Sequence, residues 1–284
     1  MNSFIKNHRL YILAILLLAT VFTGYVVYVE RPCDLTVSFL DVGQGDAILI
    51  ETSQHQQILI DGGPGKAVLR ELSKEMPFYD RSIDAVIATH SDADHIGGLP
   101  DVLSNYNVGF VMESGVGSDS SIYKEFEKII GEKNIKKILA RRGMQIELSD
   151  GAYLLILFPD RDMTGSDTND ASIVAKLVYG NTSFLFTGDS PTKIEKYLIS
   201  LDSGGLDSDV LKAGHHGSKT SNSQEYIAAV SPEYTVISVG KDNKYGHPNQ
   251  EVLDTFKNFG SQILRTDLFG TITMSSDGTG VVLK

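Results

Sequence analysis

The chain has 284 residues, 42% of them hydrophobic, with a formal net charge of -11 and a pI near 5.0. That length and apolar content support a sizeable core and exclude a disordered chain, while the acidic balance excludes a broad electrostatic footprint for nucleic acid. The lone cysteine, Cys33, excludes an internal disulfide and a cysteine-rich zinc site, and the run Val29-Glu30-Arg31-Pro32 before it lacks the small, apolar character of a lipid-attachment site.

Residues 10–29 contain no Asp, Glu, Lys, Arg or His, and as a helix they would span roughly 30 Å, the thickness of a bilayer core. Lys6 and Arg9 precede this run while Glu30, Arg31 and Asp34 follow it. The positive flank predicts a single-pass membrane anchor with a cytoplasmic N-terminus and an extracytoplasmic remainder. The chain therefore divides into an anchor segment, 1–31, and a catalytic domain, 32–284. A cleaved signal peptide and a secreted product is the competing reading. It fits less well, because the run exceeds a usual h-region and Thr20-Val21-Phe22-Thr23-Gly24 is not an A-x-A site.

Beyond the anchor, residues 35–40, 47–52 and 57–60 read as short strands separated by the turn signals Gly43-Gln44-Gly45 and Ser53-Gln54. Residues 67–76 read as a helix and the apolar stretch 83–88 as a buried strand. Strands and helices alternate through 108–112, 122–130 and 135–139. Segments 153–158, 172–178 and 183–186 then read as strands, the last two forming a hairpin about Tyr179-Gly180-Asn181-Thr182. Helix 193–201, strand 209–212, helix 224–230, strand 234–239, helix 250–259 and three closing strands complete the chain. The predicted fold class is α/β (α+β): an αββα sandwich of two facing sheets with helices outside. Loops 115–121 and 160–170, rich in Gly, Ser, Asp and Thr, are long enough to rim a site.

Directly after strand 83–88, the run Thr89-His90-Ser91-Asp92-Ala93-Asp94-His95-Ile96-Gly97-Gly98 packs His90, Asp92, Asp94 and His95 together. Alternating strand side chains cannot converge on one point, so these ligands belong on a loop and the first turn of a helix, with Gly97 and Gly98 permitting close backbone approach. So dense a group of imidazoles and carboxylates has little structural purpose without a cation. Asp189, His215, His216 and His247 each follow a predicted strand as well, so the site assembles along one set of strand ends. From Ile96 to Gly188 there is no His and no Cys, and Asn169, Asp170 and Ser172 are oxygen-bearing candidates for the ligand set in that stretch. More oxygen and fewer nitrogens shift preference from zinc towards Mn²⁺ or Mg²⁺.

These residues resemble the metallo-β-lactamase superfamily, whose H-x-H-x-D-H loop is matched by His90-Ser91-Asp92-Ala93-Asp94-His95 with Asp in the second ligand position. Within it, the set Phe39-Leu40-Asp41-Val42-Gly43-Gln44-Gly45-Asp46-Ala47, Leu59-Ile60-Asp61-Gly62-Gly63, Thr187-Gly188-Asp189, Gly214-His215-His216-Gly217-Ser218 and Gly246-His247-Pro248 is similar to the C-terminal domain of ComEC-type competence proteins. The resemblance covers about residues 35–284 and implies a nuclease-like hydrolase outside the membrane, associated with DNA-uptake machinery. With one apolar span, the chain reads as a tethered relative of that domain rather than a multi-helix channel. The family pattern implies that Asp94, His95 and His247 hold one ion, His90 and Asp92 the other, and Asp189 bridges them. The expected cofactors are two divalent ions, manganese or zinc with magnesium as a further candidate, one bound tightly and one labile.

Two such ions hold a hydroxide, polarise a phosphoryl oxygen and stabilise the leaving alkoxide. Asp94, His215 and His216 are the expected catalytic residues, either histidine serving as ligand, phosphate contact or proton donor. Ser218 and Lys219 are candidate phosphate contacts. Asp41, Gln44, Asp46 and Asp61 sit in turns that favour Asp and Gly for backbone reasons alone. If they serve the site, Asp61 fixes a ligand histidine's tautomer and Asp46 faces the metals. Lys212, Lys219, Lys241 and Lys244 read either as a local basic rim or as solvated loops. DNA or another phosphodiester is the leading substrate. The alternatives are a hydrolase of a small phosphoester, lactone or β-lactam, and a non-catalytic binding module.

Overall fold

The computed structural model describes residues 2–29 and 34–284. Cys33 and the expected boundary at 31/32 lie outside them. Helix Asn2–Val29 carries the window His8–Tyr25, 18 residues of mean hydropathy 1.5. Among the described residues it is the one helix long and apolar enough to cross a membrane. Compact units part between Cys33 and Asp34.

The second unit is built on two sheets. The first orders its strands Val281–Leu283, Ile272–Ser276, Leu35–Phe39, Ile48–Glu51, Gln57–Ile60, Ser82–Ala88, Asn107–Glu113 and Lys136–Leu139. The second runs Gln262–Arg265, Tyr234–Ile237, Val210–Lys212, Thr182–Phe186, Val174–Tyr179, Tyr153–Phe158 and Gln145–Glu147. Ile58 and Ile60, Ala85 and Ile87, and Phe184 and Phe186 fill the core between the sheets. The intervening Leu59 and Val86 face outward against helices Ala67–Glu75, Leu99–Asn105 and Ser121–Glu132. Leu185 does the same on the second sheet, against Thr192–Asp202, Gln224–Val230 and Gln250–Asn258. Strands covered on both faces must be apolar at every position, which is why they read as continuous runs rather than alternating patterns. The result is the αββα sandwich expected from the sequence.

Local departures have local causes. The strand expected at 172 begins at Val174, because Asn169–Ala171 forms a tight turn and Ser172 is its exit. Helix Leu99–Asn105 escaped the sequence reading although Pro100 at its start is a helix-initiation signal. Strand Gln145–Glu147, three residues with polar ends, carries too little pattern to recognise.

Parallel pairing sets where the site forms. Strands Gln57–Ile60 and Ser82–Ala88 run parallel in one sheet, as do Thr182–Phe186, Val210–Lys212 and Tyr234–Ile237 in the other. Their C-terminal ends deliver Asp61, His90, Asp189, His216 and Ser238 to a common edge.

Candidate metal centre

The loop after strand Ser82–Ala88 turns straight into the short helix Ala93–Ile96, whose first turn is closed by His95 N and Ile96 N donating to Asp92 O at 3.0 and 2.9 Å. Side chains here follow helical rather than strand spacing, so Asp92, Asp94 and His95 share a neighbourhood. The turn is pressed against the loop after strand Gln57–Ile60: Gly62 N donates to His95 O at 2.6 Å and Gly98 N to Gly63 O at 2.9 Å. A Cβ at Gly98 would meet Gly62 O at 2.3 Å, so only glycine permits this approach.

Asp61 ties the two loops together. It accepts from Thr89 N at 2.8 Å and from Thr89 Oγ1 at 2.6 Å, and lies 2.7 Å from His95 Nδ1. With Nδ1 donating to that carboxylate, His95 turns Nε2 inward, 3.2 Å from Asp189 Oδ1. Asp189 arrives after strand Thr182–Phe186 through Gly188, whose φ is +51°, and its backbone N–H donates to Ser172 Oγ at 3.3 Å. His216 closes the ring. Its Nδ1 sits 3.0 Å from Ser238 O and 3.3 Å from Asp46 Oδ1, and its Nε2 is 3.4 Å from Asp94 Oδ2 and 3.8 Å from Asp189 Oδ2. His90 Nε2 lies 3.8 Å from Asp92 Oδ2 and 4.0 Å from Asp189 Oδ2, with its ring centroid 4.1 Å from that of His95.

Three buried imidazole nitrogens, the Nε2 atoms of His90, His95 and His216, together with Asp189 Oδ1, have no aligned hydrogen-bond partner. Orphaned polar atoms in a buried place are costly. Divalent cations shared between these groups would satisfy them, and the donor sets fit mixed nitrogen and oxygen ligation. Ligand atoms of His90, His95 and Asp189, of Asp94, His95 and His216, and of Asp46, Asp189 and His216 lie within 4.8 Å of one another in each group.

Charge is arranged to suit. Burial works against the Asp189 carboxylate, yet His95, His216 and His90 around it hold it well below the usual carboxylate range. Burial likewise opposes protonation of His216, but Asp189, Asp46 and Asp94 lift it to about 9, and carboxylates raise His95 in the same way. His90 is the exception: burial and the neighbouring His95 push it down to about 4, leaving a neutral ring with a free lone pair. An incoming cation therefore meets one ready imidazole and displaces protons from two others.

Some residues land elsewhere than expected. His247, implied as the partner of Asp94 and His95, belongs to none of those ligand groups; His216 stands in its place. The cause is backbone: His215 and His216 both adopt left-handed conformations, φ +49° and +53°, which carry His216 inward and leave His215 at the mouth. His247 instead lines the cavity, its ring edge-on to His215 at 5.6 Å. Lys212 is no part of a basic rim. It is 1% exposed and its Nζ pairs with Asp46 Oδ2 at 2.8 Å. Among the three oxygen-bearing candidates, Asp170 pairs with Lys193 and Ser172 takes the Asp189 N–H. Asn169 Oδ1 is buried without a partner, next to Thr168, whose Oγ1 donates to Asp92 Oδ1 at 2.8 Å. Asp41 and Ser218 serve turns, accepting from Gly43 N at 3.3 Å and Thr220 N at 3.3 Å, and Lys219 is an exposed turn residue. Gln44 lines the cavity and braces it, accepting from Gly240 N at 3.1 Å.

The centre opens to solvent through a cavity of about 160 Å³ bordered by Asp92, Asp94, Asp189, His215, His216, His247, Gln44 and Tyr245. His215 lies across it, with Nδ1 3.1 Å from Thr220 Oγ1 and Nε2 3.5 Å from Asp189 Oδ2. Tyr245 and the inward turn of His216 were not singled out from sequence, and Lys212 was read as a rim or loop cation rather than as the buried partner of Asp46. For Tyr245 there was a signal, its place directly before the last motif, Gly246-His247-Pro248.

Comparison with known proteins shows the family. The profile of the metallo-beta-lactamase superfamily matches residues 40–241. The chain belongs to that superfamily. It is 31% identical over 254 residues to ComE operon protein 3 of Bacillus subtilis (strain 168), and 32% identical over 272 residues to competence protein ComA of Neisseria gonorrhoeae. Those matches cover 83% and 94% of this chain but 32% and 36% of the relatives, so the chain spans about a third of their length. Recombination protein 2 of Haemophilus influenzae is 31% identical, over 84% of this chain and 28% of its own length. The fold is shared with YhfI of Bacillus subtilis, at 15% identity and a TM-score of 0.56 over 86% of this chain and all (100%) of that one. It is also shared with CmlA, a diiron β-hydroxylase from Streptomyces venezuelae, at 14% identity and 0.54 over 86% of this chain and 54% of that one.

Proposed function

We propose that this superfamily member is a membrane-tethered, extracytoplasmic phosphodiesterase that cuts DNA with two divalent cations, manganese or zinc with magnesium as a further candidate. The observation that carries it is the ring of buried, unpartnered His90, His95 and His216 nitrogens around Asp189, opening on the cavity mouth. Its similarity to proteins named for competence supports DNA as substrate and a DNA-uptake complex as partner. Lys6 and Arg9 ahead of the apolar run support export of the domain.

His90 and Asp92, with Asn169 Oδ1 as a further oxygen, would hold one ion, and Asp94, His95 and His216 the other, with Asp189 between them. Bound there, the ions supply Lewis acidity and a nucleophilic hydroxide at neutral pH. The chain's own residues do the rest. Asp61 and the Ser238 carbonyl, with Asp46 beside it, keep His95 and His216 in the tautomer that turns Nε2 inward. His215, at the mouth and anchored on Thr220, is placed to hand a proton to the leaving oxygen. His247 and the exposed Lys219, Lys241 and Lys244 offer contacts to phosphate. The net charge of -11 favours a second reading, hydrolysis of a smaller ester, because it opposes approach of a long polyanion.

The full chain in detergent, stripped of metal and then given Mn²⁺, Mg²⁺ or Zn²⁺, is assayed on linear single- and double-stranded DNA, bis(p-nitrophenyl) phosphate and nitrocefin. Metal-dependent DNA cleavage, absent in Asp94→Ala, is the expected result. Turnover of the small diester or nitrocefin alone moves the protein to the second reading, and no turnover at all leaves a binding module.

A further inference from the structure

Beside the metal cavity lies a second, of about 380 Å³, bordered by Gln44, Pro64, Ala93, Asp94, Lys244 and Tyr245 among others. It shares Gln44, Asp94 and Tyr245 with the first, so whatever fills it is held next to the metal centre. Its size is that of a small-molecule cleft, and Pro64, Ala93 and the tyrosine ring give it apolar walls. The neighbouring metal cavity has no such character.

Tyr245 is 56% exposed. Its position is nonetheless defined. The ring stacks on His247 at 5.9 Å with 23° between planes, and His247 meets His215 edge-on at 5.6 Å. The backbone beneath is pinned by Asn243, whose Oδ1 accepts from Tyr245 N at 3.2 Å and His247 N at 3.1 Å, while Nδ2 donates to Gly240 O at 3.0 Å and His247 O at 2.7 Å. Lys244 Nζ hovers 5.3 Å from the ring centroid. A flexible ammonium over a ring is readily exchanged for a flat partner, and it then stays within reach of an adjoining phosphate. A fixed aromatic shelf next to a mobile cation is the arrangement by which proteins hold unpaired nucleotides.

Building on the phosphodiesterase reading, we infer that the Tyr245 shelf is a nucleobase subsite: it stacks the base beside the scissile phosphate, with Lys244 on the flanking phosphate, and selects single strands. In a duplex the base is already stacked within the helix and cannot reach the shelf.

The test compares the full chain in detergent with Tyr245→Ala and Tyr245→Phe on a single-stranded oligothymidylate, and on the same strand made abasic beside the cleaved position. Tyr245→Ala is expected to raise KM for the intact strand by about tenfold or more, with little change in kcat. Tyr245→Phe restores most of it, and the abasic strand, which has no base to stack, loses far less. A readout independent of turnover is also open, because the chain contains no tryptophan (Trp 0). In Tyr245→Trp the single indole is expected to be quenched by metal-free addition of the intact oligonucleotide and not by the abasic one. Equal losses on both strands, an unchanged KM, or an unquenched indole overturns the subsite while leaving the phosphodiesterase intact. Failure of the wild-type chain to cleave any strand overturns both.

Discussion

The His95–His216 side of the cradle and the His90–Asp92 side share Asp189 but are secured in different ways. On the first, His95 is oriented by the buried Asp61 carboxylate at 2.7 Å and His216 by the Ser238 carbonyl at 3.0 Å with the Asp46 carboxylate beside it at 3.3 Å, and Asp46 is itself paired with the buried Lys212 at 2.8 Å. On the second, His90 Nδ1 has only the Thr89 hydroxyl at 3.1 Å, and the Asp92 side chain, 41% exposed, leans on Thr168. Carboxylate-braced histidines are stronger and better oriented ligands than hydroxyl-braced ones. On the proposed two-ion reading, what stands behind the ligands sets affinity, and the two ions are expected to bind unequally even though the ligand counts look alike.

The sharpest way to break the comparison is to remove what the sides share. Asp189→Asn is expected to take DNA cleavage below detection while circular dichroism stays native, since Asp189 is the one carboxylate within reach of His90, His95, His215 and His216. A variant that cleaves at the wild-type rate removes Asp189 from the centre. Next comes the braced side alone. Lys212→Met leaves the buried Asp46 carboxylate with only His216 and His95 to offset its charge, which costs up to about 3–5 kcal/mol of stability. A denaturant titration of the metal-free protein reads it, and Lys212→Met with Asp46→Leu should recover much of the loss. If the single variant is as stable as wild type, the pair is not what holds Asp46.

How much of this was legible beforehand follows from the same contrast. The sandwich could be read because strands covered on both faces are apolar throughout, and the first ligand loop because four ligands crowd one strand end. Asp61 was named as a support without its target, and Asp46 as facing the metals. What stayed hidden was direction and burial. Nothing in Gly214-His215-His216-Gly217 reveals that both histidines take left-handed backbone conformations, so His216 lost its place to His247 in the reading. Lys212 looked like a surface cation because lysine is almost never fully buried unless paired, and its partner lies 166 residues away at Asp46.

A smaller effect sharpens the comparison by perturbing one brace on each side. Asp61→Ala frees His95 to turn or change tautomer and is expected to weaken the tighter ion by about ten- to a hundredfold. Thr168→Ala, behind Asp92, is expected to weaken only the other ion and to leave the tighter one in place. Equilibrium dialysis with elemental analysis across free manganese reads both. Loss of the same ion in the two variants would mean the sides are not independent.

The smallest expected effect lies one layer deeper. Glu195, 2% exposed, accepts from Asn222 N at 2.5 Å and Ser223 N at 2.9 Å. Asn222 in turn clasps the His215–His216 turn, accepting from Gly214 N at 2.9 Å and donating to Gly214 O at 2.9 Å and Ser218 O at 3.1 Å. Glu195→Gln keeps the shape but trades one acceptor oxygen for an amide donor facing an N–H, at a cost of about 1–3 kcal/mol. Its pH dependence has a definite sign. Burial lifts the Glu195 carboxyl above the usual glutamate range, so the folded state holds this proton more tightly than the unfolded chain does. The group's contribution is complete below the ordinary glutamate value and fades as pH rises through the raised one. Glu195→Gln is therefore expected to remove that downward slope from a plot of stability against pH while slightly weakening metal binding on the His216 side alone. A slope that survives the substitution would assign the titration to another carboxyl.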